Sequence, residues 1–441
     1  MPDKSLHSTN LSLSPCLHPS TTKPLQFLPH SMSNNALTTP LTGRSGSSFI
    51  KACFNGTNAF LGIGLLTVPY ALSSGGWLSL LLFVLIGVIA FYTGILLKRC
   101  MDTSPYIQTY LDIAEQAYGK NGRITVSIIT NLELYLVTIG LLILEGDNLH
   151  KLFPDFKIQV EHFADIDGSR SFVILTALVV FPTMLFTDLS LLSYISATGV
   201  ASCVVIFGSI LCVGVFGGVG FGATGKSLIN VQGIATAISL YIVCFAGHPV
   251  IPSIYTSMKS QFHFNKVLLV SFFITAVTYM ATAIVSYLMY GANVESPITL
   301  NLPSNQVAGC VAIYTTLLIP ITRYALMMSP VATSIEGAFP ENYARKRHVR
   351  ILIRVALLIS TVIVACAFPF YETLMAIVGS IFVVLGSFVI PCLCYLKMSG
   401  NGRCRWMQWS YETTGIIGIV IFSSAAGILG TYSSIAELIS S

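Results

Sequence analysis

Three ionisable side chains, Glu133, His248 and Arg323, lie inside long apolar stretches of the sequence. A charge is costly to bury there, so each indicates a functional site or a specific buried partner. Glu133 lies near the middle of the apolar stretch 123–149, where a carboxyl group can take up and release protons near neutral pH. We interpret it as a proton-coupling residue; the alternative is a structural carboxyl hydrogen-bonded to a neighbouring helix.

His248 and Arg323 are the other two proton-coupling candidates, and each has more than one interpretation. His248 stands beside Pro249 and either titrates in the physiological range or caps carbonyls freed at a helix break, which is the role we favour. Arg323 is permanently charged and requires a carboxylate, carbonyls or water. It either pairs with an acidic residue or extends to the cytosolic membrane edge.

Two of the apolar stretches are interrupted by helix-breaking residues. A Gly-Ile-Gly triplet and a proline fall within Asn55–Tyr70, and a glycine with two prolines within Tyr241–Tyr255. In hydrocarbon a broken helix persists only where it is buried in protein or lines a cavity. Its free N–H and C=O groups can then hold the carboxylate and ammonium of a ligand. The alternative is that the glycines only allow close helix packing.

The two interruptions together form the predicted substrate site. Its predicted residues are Asn58, Gly62, Ile63, Gly64 and Thr67 from the first stretch and Tyr241, Cys244, Phe245, Ala246 and Gly247 from the second. Tyr241 is a candidate gate, although an aromatic side chain in a membrane helix is often a packing residue.

The composition identifies the kind of protein that holds these residues. Of 441 residues, 54% are hydrophobic and only 9% are charged, against about 25% charged in soluble domains. Hydropathy predicts an all-α polytopic membrane protein with about eleven spans. The predicted spans are 48–73, 76–100, 123–149, 171–187, 190–216, 231–257, 266–291, 305–330, 349–368, 371–396 and 412–435.

The interrupted spans are the first and the sixth, which are five spans apart and therefore cross in opposite directions. This predicts a five-plus-five inverted repeat around a central site. Repeat one covers about 48–217, repeat two about 231–396, and a peripheral eleventh helix about 412–435. Residues 1–47 are predicted to be a disordered cytosolic tail, and 48–441 the membrane domain.

Lysine and arginine concentrate in alternate connections between the spans. The distribution places the N-terminus in the cytosol and, with eleven spans, the C-terminus on the far side. The net charge of +5 therefore indicates topology and not nucleic-acid binding. The segment Gly220–Ser227 matches a phosphate-loop pattern but follows a membrane helix, so we do not interpret it as one. No cofactor or metal site is predicted.

Three segments resemble a known family. Phe54–Ala71, Gly247–Met258 and Thr322–Val331 are similar to the amino acid/auxin permease family, particularly to plant vacuolar amino acid transporters related to vesicular inhibitory amino acid transporters. The resemblance implies a LeuT-like fold, an amino acid substrate and proton coupling. In sodium-coupled proteins of this fold the ion lies between the first and eighth helices, where Arg323 would repel it. The fifth-helix lysine of other proton-linked permeases has no counterpart in 201–217.

The predicted function is secondary active amino acid transport by alternating access, with H⁺/amino acid antiport into the vacuole as the first choice. Proton-linked export to the cytosol and a transporter-like amino acid sensor are the alternatives. A channel is disfavoured because no pore motif accompanies the broken helices. The expected partners are a small amino acid and the lipids of the vacuolar membrane, without enzymatic activity or nucleic acid.

Overall fold

A computed structural model describes residues 47–157, 167–185, 189–340, 346–399 and 411–440. Within these ranges the chain is helical, with one isolated β-bridge. Most of the predicted tail, and residues 158–166 between the predicted third and fourth spans, lie outside the described residues. The prediction of an all-α membrane protein is confirmed.

The helices follow the predicted spans in order. They are α1 (Phe49–Phe60), α2 (Gly64–Gly75), α3 (Ser79–Met101), α4 (Tyr110–Leu152), α5 (Gly168–Leu185), α6 (Leu189–Phe216), α7 (Ile234–Cys244), α8 (Ile251–Ser257), α9 (Phe264–Tyr290), α10 (Val307–Ala338), α11 (Arg347–Ala367), α12 (Tyr371–Ile377), α13 (Ile390–Ser399) and α14 (Tyr411–Ser440).

Nine helices of the described chain are long and apolar enough to cross a membrane. The bent pair Phe49–Phe60 and Gly64–Gly75 makes a tenth crossing if it is counted as one span. The shorter apolar helix Gly168–Met184 falls where the fourth span was predicted. The protein is therefore an integral, multi-pass membrane protein.

Both predicted breaks are present. The first span bends by 53° between Phe60 and Gly64. In the sixth, α7 ends at Cys244 and a 3-10 turn (His248–Val250) leads into α8. Gly247 precedes that turn with φ +148°, a backbone angle that side-chain-bearing residues rarely adopt.

The third span is longer than predicted because it is continuous with the segment before it. A capping box formed by Thr109 and Asp112 begins α4. Gly119 then turns the chain with φ +68°, so the residues before it form a separate first arm of α4. Arg123 lies beyond this kink and pairs with Asp112 and Glu115 across it.

The tenth span contains an element that the sequence analysis did not predict. Between α12 and α13 the backbone forms a π-helix over Val378–Val389. It packs against α4, α7 and α14. It therefore lies between the third span, which carries Glu133, and the first half of the broken sixth span.

The start of the described chain is fixed to the end of α8. The N–H of Ser47 donates to the carbonyl of Ser257 at 2.7 Å, and the N–H of Lys259 donates back to the carbonyl of Ser47 at 3.2 Å. These two bonds make a parallel β-bridge centred on Met258. The backbone just before α1, the first half of the first span, is thereby joined to the end of α8, the second half of the sixth span.

Candidate functional site

The two breaks lie against each other in the core. A Cβ added at Gly64 would lie 3.0 Å from the Cα of Cys244, and one added at Gly247 would lie 2.9 Å from the ring of Phe60. Both glycines are therefore needed for close approach, as the packing interpretation requires. The same approach brings the irregular backbone of the two spans together, as the binding interpretation requires.

Tyr279 of α9 occupies the first break. Its hydroxyl donates to the carbonyl of Phe60 and accepts from the N–H of Gly62, both at 2.8 Å. The side chain is almost completely buried. One phenol thus satisfies two of the backbone groups that the bend releases. The sequence contained no signal for this role, because Tyr279 is one of several tyrosines in an apolar helix.

Arg323 of α10 reaches the same break from the other side. Its Nη2 donates to the carbonyl of Leu61 at 2.6 Å and to that of Asn58 at 3.4 Å. A Cβ added at Gly62 would lie 2.5 Å from Nη1. The guanidinium therefore faces the bundle at the carbonyl end of α1, where the helix dipole favours positive charge. Backbone carbonyls hold it, which is one of the three kinds of partner that we expected for this charge, whereas the acidic partner or membrane edge is not found among the described residues.

The remaining predicted residues of the first break lie within this arrangement. The Oγ1 of Thr67 donates to the carbonyl of Ile63 at 3.1 Å. A Cβ added at Gly199 of α6 would lie 3.1 Å from the Oδ1 of Asn58 and 3.2 Å from the Nη2 of Arg323. The fifth span thus closes this side of the break.

The residues of the second break are mostly packed. Tyr241 is fully buried, with its hydroxyl 2.8 Å from that of Ser79, which is the packing arrangement and not an open gate. The Sγ of Cys244 lies 3.8 Å from the carbonyl of Gly64. Phe245 stacks on Phe272, with ring centroids 6.1 Å apart, and the N–H of Ala246 bonds to the carbonyl of Val243.

His248 is fully buried and bonds to α3. Its Nε2 lies 3.1 Å from the carbonyl of Ala90 and 2.9 Å from the Oγ1 of Thr93. The predicted role, capping carbonyls freed at the break, is therefore not what the ring does: the carbonyl it bonds to lies inside the neighbouring helix α3. The Nδ1 has no hydrogen-bond partner among the described residues.

Glu133 lies apart from the two breaks, against the π-helix. Its side chain is 5% exposed, and its Oε2 has no hydrogen-bond partner in the described parts of the chain. A Cβ added at Gly386 would lie 3.3 Å from that oxygen. The structural alternative, a carboxyl bonded to a neighbouring helix, is not seen for this oxygen.

The predicted residues thus form two groups. Those of the two breaks, together with Arg323, surround one central region, whereas Glu133 lies against the tenth span. Among the described residues, no group of three His, Cys, Asp or Glu side chains is arranged to hold a metal ion. The chemistry available at the centre is therefore hydrogen bonding by backbone groups, with one fixed positive charge.

The chain is similar over most of its length to known transporters. The sequence profile of the family described as "Transmembrane amino acid transporter protein" matches residues 45–436. Amino acid transporter AVT1I of Arabidopsis thaliana is 47% identical over 395 residues, covering 90% of this chain and 96% of that protein. Amino acid transporter AVT1J of the same plant is 42% identical, covering 90% and 92%.

Solved structures support the fold. MhsT in complex with L-phenylalanine superposes with a TM-score of 0.56 at 12% identity, covering 89% of this chain and all of that one. A Na⁺-coupled sialic acid symporter gives a TM-score of 0.51 at 14% identity, covering 87% and 88%. The fold is thus LeuT-like, as predicted. The broken first and sixth spans and the match over residues 45–436 agree, and the chain belongs to the transmembrane amino acid transporter family.

Proposed function

We propose that this protein moves an amino acid across a membrane by alternating access, driven by a proton gradient, and that it works as an H⁺/amino acid antiporter filling the vacuole. The observation that carries the proposal is the contact between the two breaks, where Gly64 lies against the backbone of Cys244. Irregular backbone of two spans meeting in the core is the arrangement that discontinuous helices use for substrate sites in secondary transporters.

The free backbone groups suit the two charged ends of an amino acid. At the first break, the carbonyls of Phe60 and Leu61 are already bonded to Tyr279 and Arg323. At the start of α2, Ile63 has no side-chain cap, and the N–H groups of Leu65 and Leu66 bond to the carbonyls of Gly62 and Ile63. The N–H groups of Ile63 and Gly64 are therefore the proposed donors to a carboxylate. Carbonyls of 244–247 are the proposed acceptors for the ammonium group.

The position of Arg323 favours protons over sodium as the coupling ion. Its guanidinium donates to the carbonyl of Leu61 at the end of α1, so an alkali cation bound to these carbonyls would face a fixed positive charge a few ångströms away. Glu133, buried and lacking a bond to its Oε2, is the proposed proton carrier.

The proposal also specifies the direction of transport and the membrane in which it takes place. Antiport into the vacuole is proposed because of the resemblance to vesicle-filling exchangers. Proton-linked export to the cytosol uses the same site with the opposite coupling. An amino acid sensor is the alternative from another class, since it would bind the amino acid without net flux.

The test is labelled amino acid flux in proteoliposomes with an imposed pH gradient, using protein of known orientation. Antiport predicts accumulation in acid-loaded vesicles that an ionophore abolishes, and no change when potassium replaces sodium. Glu133→Gln is expected to remove the response to the gradient while retaining exchange of labelled for unlabelled substrate.

Three results would contradict parts of this proposal. Movement in the same direction as protons would establish export in place of antiport. A gradient response unchanged in Glu133→Gln would remove that residue from the coupling role. Saturable binding without flux under any gradient would identify a sensor.

A further inference from the structure

The π-helix Val378–Val389 is the least expected element of the fold. It runs for 12 residues, whereas π-helices are usually single turns inside α-helices and are frequent at functional sites. Each of its bonds spans five residues where an α-helix spans four. Interconversion of an α turn and a π turn therefore shifts the side chains that follow by one residue. Gain of a π turn brings each later residue to the place of the residue before it.

One side of the π-helix faces Glu133. The Cβ position of Gly386 points at the Oε2 of Glu133 from 3.3 Å, and no donor among the described residues bonds to that oxygen. The carbonyl of Gly386 is held by the hydroxyl of Tyr110 at 2.5 Å. An ionised carboxylate here would bury its Oε2 without a donor, so the observed register fits the protonated acid.

The residue after Gly386 has the missing donor. Ser387 is fully buried, and its hydroxyl has no hydrogen-bond partner in the described chain. Gain of one π turn before Gly386 would place Ser387 where Gly386 now faces Glu133. Its hydroxyl could then donate to an ionised Glu133, satisfying two polar groups that are unsatisfied in the observed register.

The other side of the π-helix faces the sixth span. The ring centroid of Phe388 lies 6.2 Å from that of His248, which begins the turn after the second break. A Cβ added at Gly379 would lie 2.7 Å from the Cγ2 of Val243 in α7. A change of register at Gly386 and Ser387 therefore also moves Phe388 relative to the second break.

We propose that the π-helix Val378–Val389 links the proton on Glu133 to the second break by changing register. Protonated Glu133 accompanies the observed π register, and ionised Glu133 accompanies a register in which Ser387 donates to it. Ser387 and Phe388 are positioning residues in this proposal. It rests on the proposed function, since it connects the proton site of that function to its substrate site.

The pH response of Glu133 has to be distinguished from that of other ionisable groups near the π-helix. The neutral groups around Tyr110 are the thiols of Cys100, Cys392 and Cys394. The helices packed against α4 carry further ionisable side chains: Lys98 and Arg99 of α3, Arg170 of α5, Arg323 and Glu336 of α10, Arg347, Arg350 and Arg354 of α11, Glu372 of α12 and Lys397 of α13. Arg323 is bonded to carbonyls, and Arg354 to Glu336 and to the carbonyl of Met184. Within the described chain, none of these groups bonds to the Oε2 of Glu133. His248 lies on the opposite side of the π-helix, against Phe388, and Glu133→Gln distinguishes these two sources of a pH response.

The first test compares Ser387→Ala with Ser286→Ala in the proteoliposome flux assay across a range of pH. Ser286 is an equally buried serine whose hydroxyl has no partner in the described chain, and it lies in α9, which packs on α1, α2, α3 and α6. Loss of the donor disfavours ionised Glu133, so Ser387→Ala is expected to move the midpoint of the pH dependence upwards by about half to one pH unit, the size of one hydrogen bond. Ser286→Ala is expected to keep the wild-type midpoint.

The second test does not depend on transport. Hydrogen exchange of the peptide covering 378–389 is measured below and above neutral pH and corrected for intrinsic exchange rates. We expect exchange to differ several-fold between the two pH values, because the two registers bond the backbone amides differently, and no pH difference in Glu133→Gln.

The results separate the two proposals. Absence of gradient-driven flux in the wild type would contradict the proposed function, and hydrogen exchange would still decide on the π-helix. If Glu133→Gln removes the pH response while Ser387→Ala keeps the wild-type midpoint and 378–389 exchanges independently of pH, the register change is wrong and the proposed function stands.

Discussion

The two broken spans satisfy the backbone groups freed at their breaks in different ways. In the first, the freed backbone groups are bonded by long side chains from other helices, Tyr279 and Arg323. In the second, the chain makes its own 3-10 turn after Gly247. The first break therefore depends on α9 and α10 staying in place, whereas the second keeps its shape locally. Movement of α9 or α10 should reshape the first break before the second.

The largest effect is expected from Arg323→Ala. It leaves the carbonyls of Leu61 and Asn58 without a charged donor, and each charge-assisted bond contributes about 1.5–3 kcal/mol, so flux should fall by about two orders of magnitude. Arg323→Lys keeps the charge and is the matched control, with a smaller loss expected because the bonds are reformed poorly. Normal flux in Arg323→Ala would show that the first break does not depend on this side chain.

Gly247→Ala, a substitution in the second break, is expected to have the second-largest effect. A side chain there is strained at φ +148° and meets the ring of Phe60, so we expect a loss of about 1–3 kcal/mol in stability. It is measured by thermal unfolding in detergent. Gly208→Ala, with nothing within 4 Å of the added Cβ, should unfold as the wild type does. An unchanged unfolding temperature in Gly247→Ala would mean that the second break accommodates the added methyl group without loss of stability.

Tyr279→Phe tests the first break while changing the packing less than Arg323→Ala does, because only a hydroxyl is removed. The ring remains, but the carbonyl of Phe60 and the N–H of Gly62 lose their partner, at about 1–3 kcal/mol. We expect lower thermal stability together with reduced flux. Tyr290→Phe on the same helix removes a hydroxyl that has no partner among the described residues and should change little. Equal effects of the two substitutions would contradict the role of Tyr279.

The smallest effect is expected from Thr93→Val. It removes the hydroxyl beside His248 but leaves the carbonyl of Ala90 as a partner, so the loss should be about 0.5–1.5 kcal/mol. Unfolding in detergent measures it against Thr275→Val, whose hydroxyl is buried without a partner in the described chain. A loss of stability as large as that of Tyr279→Phe would mean that the second break also depends on distant helices.

The sequence was sufficient for the fold and for the places where it is interrupted. Apolar length, the clustered glycines and prolines, and the alternation of basic connections are local properties, and they predicted the spans and both breaks. Arg323 was identified as needing partners, but carbonyls of the first span are brought to it only by folding. Tyr279 had no distinguishing neighbour in the sequence.

The π-helix could not be predicted for a related reason. Its residues, Val378–Val389, are as apolar as those of any membrane span, and the choice between bonds across four and five residues depends on packing against α4, α7 and α14. The sequence pointed to Glu133 but not to Gly386 or Ser387, because nothing local connects the third span to the tenth.

The β-bridge at Ser47 has a practical consequence for labelling. Two backbone bonds join Ser47 to Ser257 and Lys259, so a fluorophore or fused domain placed directly before this residue is anchored to the end of the broken sixth span. The signal of the attached group will follow the movement of α8, and the group will in turn restrict the movement of that helix. Ser440, at the end of the peripheral α14, has no such bridge to α8 among the described residues and is the better attachment point for a passive tag.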